Sequence, residues 1–273
     1  YTGKGEIIAT DNSFHGRTLA TVTATGQDKY KEPFKPLPAG FKHVPFGDIQ
    51  AMAEAINEET AAIILEPIQG EGGLIVPPEG YMQQVKALCL QKDVLLIMDE
   101  IQTGFGRTGE MFASALFGVQ PDITTVAKAM GGGYPIGAIL ANERIASAFE
   151  PGDHGSTFGG NPLGCAAAKA AIEVILDENL VHQAQVMGEY FKTSLEQMTS
   201  KYDIVKEVRG KGLMIGIELT KSCGDVVNEA REQGVLINCT ADKVIRLAPP
   251  LIITKEQLDA VVKVLDAALA KIS

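Results

Sequence analysis

The sequence has no tryptophan, only four histidines and four cysteines, and no long apolar run. The cysteines, Cys89, Cys165, Cys223 and Cys239, are widely spaced and form no Cys-x-x-Cys pair, so they are predicted to be reduced, buried thiols. The histidines lack metal-ligand spacing, and we expect no metal. No apolar stretch approaches the ~20 residues that a membrane-spanning helix needs, so the membrane is not an expected partner.

Positive charge is scarce as well. With 24 Lys and Arg against 34 Asp and Glu, the formal net charge is −10. Nucleic acids and anionic membranes are therefore not expected partners, because both recruit clustered Lys and Arg. Hydrophobic residues make up 45% and charged residues 21% of the 273. This balance is typical of a soluble globular enzyme, and we expect a cytoplasmic protein.

Two strand patterns mark the centre of the chain. Residues 94–98 form a continuous apolar run, typical of a strand buried on both faces of a parallel sheet, and the run ends at Asp99 and Glu100. Residues 123–126 form a second, β-branched run that leads to Lys128. Open α/β sheets bind ligands at the carboxyl ends of their strands. The sequence therefore predicts an acid and an amine at a ligand-binding edge.

This pair of residue types suits one particular chemistry. A Lys in a partly dry cleft can lose its proton and attack a carbonyl carbon. An Asp held against a pyridine nitrogen can keep that nitrogen protonated, as pyridoxal phosphate chemistry requires. Spacing alone leaves the role open, because a Lys before a Gly-rich loop is usually solvated and an Asp at a strand end is more often a helix cap.

The residues around this pair closely resemble the cofactor-binding motifs of the class III aminotransferases, which depend on pyridoxal 5'-phosphate (PLP). The motifs are MDEIQTGFGRTG at 98–109 and AKAMGGGYPIGA at 127–138. The resemblance continues from NSFHGRT near the start to VIRLAPPL near the end. It implies that Lys128 holds the cofactor covalently and acts as general base and acid, and that Asp99 contacts the ring nitrogen.

The resemblance also implies further cofactor contacts. Phe14 would stack on the cofactor ring, and Gln102 would lie beside the ring hydroxyl. Ser156 and Thr157 would bind the phosphate, with Thr157 serving the neighbouring subunit, which implies a homodimer with a shared active site. Without the resemblance, the residue pattern favours a core aromatic for Phe14 and helix caps for Ser156 and Thr157.

Three charged residues are implied to bind the substrates. Arg17 would hold a substrate carboxylate through its planar fork. Arg246 would bind a second carboxylate, and Glu71 would pair with Arg246 and cover it. The structural alternatives are a solvated helix residue for Arg17, a solvated loop acid for Glu71 and a structural ion pair for Arg246.

The expected fold class is α/β. The resemblance implies the PLP-dependent transferase fold type I, with a mostly parallel central sheet, helices on both faces and a small C-terminal α+β domain. We expect a PLP-binding large domain at 1–176, incomplete at its N-terminus relative to the family, and a small domain at 177–273. The residue pattern further predicts an exposed loop at 31–45 and strands at 134–140 and 235–238.

The implied function is amino transfer between small molecules. The segments TATGQ at 23–27 and TADKVIRLAPPL at 240–251 look most like the acetylornithine branch of the family. That branch moves the side-chain amino group of N-acetylornithine to 2-oxoglutarate in arginine biosynthesis. Ornithine, succinylornithine, succinyl-diaminopimelate and 4-aminobutyrate stay open as donors. So do an aminomutase or racemase, which needs no keto acid, and an inactive fragment that lacks the family's phosphate-binding Gly-Ala-rich motif.

Overall fold

The computed structural model describes residues 1–272, which divide into two compact units. The first unit comprises Tyr1–Pro67, Pro77–Phe105 and Phe112–Val174. The second comprises Ile68–Val76, Gly106–Met111 and the chain from Ile175. Two short segments from the first part of the chain therefore belong to the unit that is formed mainly by the C-terminal part.

The first unit is built on a six-stranded sheet. Its elements in chain order are β1 (Glu6–Thr10), α1 (Leu19–Ala24), α2 (Asp28–Lys31), β2 (Phe41–Val44), α3 (Ile49–Ala55), β3 (Thr60–Leu65), α4 (Tyr81–Lys92), β4 (Leu95–Asp99), β5 (Ile123–Val126), β6 (Ala138–Ala141), α5 (Glu143–Ala146) and the start of α6 (Pro162–Asp177). The strand order is β2-β1-β3-β4-β5-β6. Neighbours from β2 to β5 pair in parallel, and β6 is antiparallel to β5. The predicted mostly parallel sheet is confirmed.

One face of the centre of this sheet is fully buried, whereas Leu95 and Ile97 on the other face of β4 are half-buried, so the prediction of a strand buried on both faces holds for one face only. Ile63 and Leu65 of β3 and Leu96 and Met98 of β4 are 0% exposed. They belong to the same hydrophobic cluster as the apolar side chains of α4, such as Val85. Burying one such side chain contributes about 1.5–3 kcal/mol. This buried core thereby fixes the positions of the polar residues that follow these strands.

The second unit contains a four-stranded antiparallel sheet with the order β7-β8-β10-β9. Its elements are α7 (Leu180–Lys201), β7 (Val205–Lys211), β8 (Met214–Leu219), α8 (Gly224–Glu232), β9 (Asn238–Thr240), β10 (Val244–Leu247) and α9 (Lys255–Ile272). A single hydrophobic cluster joins Phe191 of α7, Val226 of α8, Leu265 of α9 and Ile217 of the sheet. The predicted small α+β unit is thus observed.

Three strand predictions need correction. β2 lies inside the predicted 31–45 loop, because pairing with β1 along residues 41–44 overrides the Pro-rich surroundings. β6 occupies 138–141 rather than 134–140, since Gly131–Gly133 and Pro135 precede the part that can pair with β5. β9 occupies 238–240 rather than 235–238, where its backbone meets β10.

The cysteine prediction was also wrong in part. Cys223 and Cys239 form a disulfide with Cα atoms 5.8 Å apart, because the fold sets the start of α8 beside β9. Cys165 is a free thiol but exposed, and only Cys89 is a free, buried thiol. Burial raises the pKa of Cys89 to about 12, so this thiol stays protonated and unreactive at neutral pH.

Within residues 1–272, none of the helices combines the length and the apolar character required to span a bilayer. The same residues contain no cluster of His, Cys, Asp and Glu side chains that is arranged to hold a metal ion.

Helix α7 packs closely against the β7–β8 turn of the second unit at Gly188. A Cβ atom at this position would lie 2.2 Å from the carbonyl oxygen of Gly212 in the β7–β8 turn. Because Gly212 is itself in the left-handed region, with φ +52°, its backbone has little freedom to move away. Glycine at 188 is therefore required by the close approach of two backbones.

We expect Gly188→Ala to lower the free energy of unfolding by about 1–3 kcal/mol, because the overpacking penalty exceeds what Ala gains in a helix. Denaturant unfolding followed by circular dichroism measures the change. Gly224→Ala is the matched control, since Gly224 begins α8 and the nearest atom to its added Cβ is 3.9 Å away. A Gly188→Ala protein as stable as the control would contradict the close contact.

Candidate active site

The carboxyl ends of β4 and β5 lie side by side in the first unit. The two strands pair in parallel, with Asp99 opposite Thr125, and the Glu100 N–H donates to the Thr125 carbonyl at 3.0 Å. Lys128 follows Thr125 by three residues. The acid and the amine that the sequence singles out therefore leave the sheet at the same edge, on neighbouring strands.

Asp99 is a buried carboxylate, 5% exposed. Its Oδ2 lies 2.7 Å from Nδ1 of His15, and its Oδ1 accepts from the Ile101 N–H at 3.2 Å. A carboxylate offers about four lone-pair positions. Two donors therefore leave Asp99 with the capacity to accept a further hydrogen bond.

His15 is a site residue that the sequence analysis missed. It is 6% exposed, and because the Asp99 carboxylate can only accept, Nδ1 is the donor in their hydrogen bond. Its Nε2 is buried without a hydrogen-bond partner among the described residues. The signal was present in the sequence, because His15 stands beside Phe14 just after β1, at the same sheet edge as Asp99.

Lys128 has an unusual backbone conformation. It begins a short 3-10 turn, Lys128–Gly131, after β5, and its φ is +46°. This left-handed conformation costs a non-glycine residue roughly 1–2 kcal/mol. Such strain is concentrated at functional sites, where the surrounding structure holds it in place. Lys128 is an exposed residue.

The adjacent carboxylates of Asp99 and Glu100 have different roles. Glu100 is 0% exposed, and its carboxylate accepts from the N–H groups of Ala113 and Ser114 at 3.0 and 2.7 Å and from the Thr103 hydroxyl at 2.5 Å. Glu100 therefore fixes the segment that follows β4. Gln102 lies in this same segment, half-buried.

Phe14 and Arg17 lie together in an aromatic cluster with Tyr30. The Phe14 and Tyr30 rings meet edge to face with centroids 5.5 Å apart, and the Arg17 guanidinium carbon lies 4.2 Å from the Tyr30 centroid. The Phe14 N–H donates to Oε2 of Glu66, which is 3% exposed, at 3.0 Å. Tyr30 and Glu66 were not identified from the sequence, since neither stands in a recognisable motif.

Ser156 and Thr157 are not brought to Asp99 or Lys128 by any contact within the described chain. Both are exposed, in a turn-rich segment between α5 and α6. The Ser156 carbonyl accepts from the Gly159 N–H at 3.2 Å, which closes a local turn. Their hydroxyl groups are thus presented on the surface of the first unit.

Glu71 and Arg246 form an ion pair within the second unit. Oε1 of Glu71 lies 2.5 Å from Nη1 of Arg246, and the side chains are 26% and 17% exposed. The Nε of Arg246 donates to Oδ1 of Asn238 at 3.1 Å. Thr240 donates its hydroxyl to the Glu71 carbonyl.

The segment that carries Glu71 is docked mainly by an arginine that the sequence analysis did not consider. Gln69 and Ile75 form an antiparallel bridge. Arg209 donates to the carbonyls of Gly73, at 2.7 Å from Nη2, and Leu74, at 2.9 Å from Nε. The same guanidinium is held by the carboxylates of Glu207 and Glu218.

The residues of the first unit fit PLP. The cofactor needs a carboxylate for its ring nitrogen, an amine for its carbonyl carbon and an apolar surface for its ring. Asp99 offers a buried carboxylate with remaining acceptor capacity, Lys128 offers an exposed amine on the neighbouring strand end, and Phe14 offers a half-buried ring.

The family model described as aminotransferase class-III matches residues 1–269. The chain belongs to the class III aminotransferases. The predicted family, its fold type and its dependence on PLP are thereby confirmed, and so is the prediction of an aminotransferase at the level of the family.

The curated relatives carry related names. The acetylornithine aminotransferase of Methanothermobacter thermautotrophicus is 69% identical over 265 residues, which cover 97% of this chain and 68% of that protein. The acetylornithine aminotransferase of Methanocaldococcus jannaschii is 54% identical over 98% of this chain and 67% of that protein. Ornithine aminotransferase 2 of Staphylococcus saprophyticus is 51% identical over 94% and 64%.

Solved structures support the same fold. The ornithine aminotransferase of Toxoplasma gondii superposes with a TM-score of 0.94 and 36% identity, covering 99% of this chain and 66% of that one. A second structure of the T. gondii enzyme is described as having partial occupancy of PLP at its active site. The chain spans about two thirds of the length of these relatives.

The Glu100 contacts predict a specific loss of stability. Glu100→Ala leaves three buried donors without an acceptor, at about 1–3 kcal/mol for each group, and we expect unfolding to become easier by at least about 3 kcal/mol. Denaturant titration measures this loss. Glu110→Ala, at an exposed acid close in sequence, should leave stability unchanged. A Glu100→Ala loss no larger than that of Glu110→Ala would rule out this structural role.

Proposed function

We propose that this protein transfers the side-chain amino group of N-acetylornithine to 2-oxoglutarate, which yields N-acetylglutamate semialdehyde and glutamate, in arginine biosynthesis. The observation that carries the proposal is the parallel pairing of β4 with β5, which brings Asp99 and Lys128 to one sheet edge in a class III aminotransferase. The names of the relatives at 69% and 54% identity support the donor.

PLP, when bound, withdraws electrons from the reacting carbon of the substrate. Asp99 is proposed to accept a hydrogen bond from the protonated ring nitrogen, with His15 and the Ile101 N–H fixing its carboxylate. Lys128 is proposed to attach covalently at rest and, once displaced by the donor, to move a proton to and from the reacting carbon. Phe14 is proposed to pack on the ring and Gln102 to contact its hydroxyl.

The two substrates place different demands on the same residues. N-acetylornithine reacts at an amine far from its α-carboxylate, whereas glutamate reacts beside its α-carboxylate. We propose that the Glu71–Arg246 pair, with Nη1 and Oε1 2.5 Å apart, stays closed for acetylornithine and opens for glutamate, so that Arg246 then binds the α-carboxylate. Arg17 is proposed to bind the distal carboxylate in both half-reactions.

We also propose a cytoplasmic homodimer in which Ser156 and Thr157 bind the phosphate held by the neighbouring subunit. The exposure of both hydroxyl residues on the first unit supports this role. Sedimentation equilibrium tests the dimer. Cell fractionation tests the location.

Lys128→Ala should abolish covalent attachment of PLP, because it removes the amine that follows β5 beside Asp99. Borohydride reduction of the PLP-treated protein, followed by peptide mass mapping, should find the cofactor on the peptide with Lys128. Lys86→Ala is the control, since Lys86 pairs with Asp122 at 3.1 Å in the same unit, and it should retain the label. Label on a different lysine would refute the assignment.

Glu71→Ala should favour the glutamate half-reaction over the acetylornithine half-reaction by about tenfold in kcat/KM, because Arg246 loses its neutralising partner. Single-turnover kinetics with each substrate measure the ratio. The control is Glu229→Ala, which removes an acid paired with Lys271 in the same unit and should leave the ratio unchanged. Equal losses in both half-reactions would disprove the opening and closing of the pair.

Ornithine is the second candidate donor. It is favoured by the relatives named ornithine aminotransferase at 51% and 36% identity. A comparison of kcat/KM for ornithine and N-acetylornithine, with 2-oxoglutarate as acceptor, decides between the two.

A further inference from the structure

The Glu71–Arg246 pair has a third participant in β9. Asn238 begins this strand and accepts from Nε of Arg246 through Oδ1 at 3.1 Å, while Nη1 of the same guanidinium meets Glu71 at 2.5 Å. Two different side chains therefore hold two different nitrogens of the planar guanidinium. Asn238 provides a neutral acceptor, whereas Glu71 provides a charged one.

The same strand also holds Glu71. Thr240, 5% exposed, donates its hydroxyl to the Glu71 carbonyl. Between Asn238 and Thr240 stands Cys239, whose disulfide to Cys223 ties the strand to the start of α8. The strand is further fixed by its register with β10, in which Asn238 lies opposite Arg246. β9 thus contacts both members of the ion pair and is itself anchored on two sides.

We propose that Asn238 is a positioning residue that sets which edge of the Arg246 guanidinium receives a substrate carboxylate. It thereby sets the balance between glutamate and N-acetylornithine as amino donors. An arginine fork can bind a carboxylate through its two terminal nitrogens or through Nε and one terminal nitrogen. Because Asn238 holds Nε, the edge that Glu71 vacates is the one formed by the two terminal nitrogens. The guanidinium plane stays in place when Glu71 leaves, so the arriving carboxylate meets a fork that is already oriented.

A neutral acceptor at this position is important for the same reason. An amide oxygen orients Nε without cancelling the charge of Arg246, whereas a carboxylate would neutralise the guanidinium permanently. Asn238→Asp should therefore keep the charge of Arg246 neutralised even when Glu71 has moved away. Asn238→Ala should instead let the guanidinium rotate.

The inference rests on the proposed function, and it is tested in the PLP-loaded protein with two readouts. The first is the ratio of kcat/KM for glutamate to that for N-acetylornithine in single half-reactions. We expect Asn238→Asp to lower this ratio about tenfold, the size of one hydrogen bond to a charged group at a half-exposed site. We expect Asn238→Ala to raise the KM for glutamate several-fold, with kcat little changed.

The second readout does not depend on which donor the protein uses. Glutarate, an unreactive dicarboxylate, is titrated by calorimetry, and Asn238→Asp should weaken its binding about tenfold. Asn228→Ala is the matched control, because Asn228 accepts from Arg231 at 3.3 Å on the exposed face of α8 in the same unit. The control should change neither readout.

The outcomes separate the two ideas. If Glu71→Ala shifts the ratio but both Asn238 variants leave the ratio and glutarate affinity at their wild-type values, the positioning role is wrong and the proposed function stands. If N-acetylornithine is not a donor but Asn238→Asp still weakens glutarate binding, the proposed substrate is wrong and the positioning role is supported. Equal losses for all substrates together with a lower unfolding midpoint would show a structural role only.

Discussion

The parallel pairing of β4 with β5 is the contact on which the candidate active site depends. Parallel strands end at the same edge of a sheet, and the register that sets Asp99 opposite Thr125 determines how far along that edge Lys128 emerges. A one-residue slip of one strand would turn the side chains of that strand to the opposite face of the sheet. The buried apolar residues of β3 and β4 specify this register, so the core that stabilises the first unit also determines the spacing of its reactive groups.

Asp99 and Glu100 illustrate how one sheet edge serves two purposes. Successive side chains leave a strand on opposite sides, and the two carboxylates accordingly find different partners. Asp99 meets an imidazole and one amide, and it retains acceptor capacity, while Glu100 accepts from three donors in the segment that it holds. Burial of a charge is tolerated in each case because hydrogen bonds replace the lost hydration. One carboxylate is available to a ligand because its neighbour keeps the adjacent segment in place.

Much of the fold was predictable because apolar runs and strand-end charges are local signals. β5 has the bounds that its pattern predicts, whereas β2 is defined by pairing with β1, about 30 residues earlier in the chain, and β9 by its register with β10. The same distinction applies to the site. Motif residues such as Lys128 and Arg246 were found from the resemblance, but His15, Arg209 and Asn238 act through contacts that only the folded chain creates. The Cys223–Cys239 disulfide likewise joins positions 16 residues apart.

The hydrogen bonds from Arg209 have a consequence for how this family can change. Arg209 recognises the carbonyls of Gly73 and Leu74 and no side chain of that segment. Main-chain carbonyls are the same whatever the amino acid, so the hydrogen bonds from Arg209 to residues 73 and 74 do not depend on which side chain stands at position 71. Residue 71 can therefore be substituted while Arg209 keeps the backbone of the segment docked. A lineage can explore new chemistry at this one side chain without first losing the folded segment that presents it.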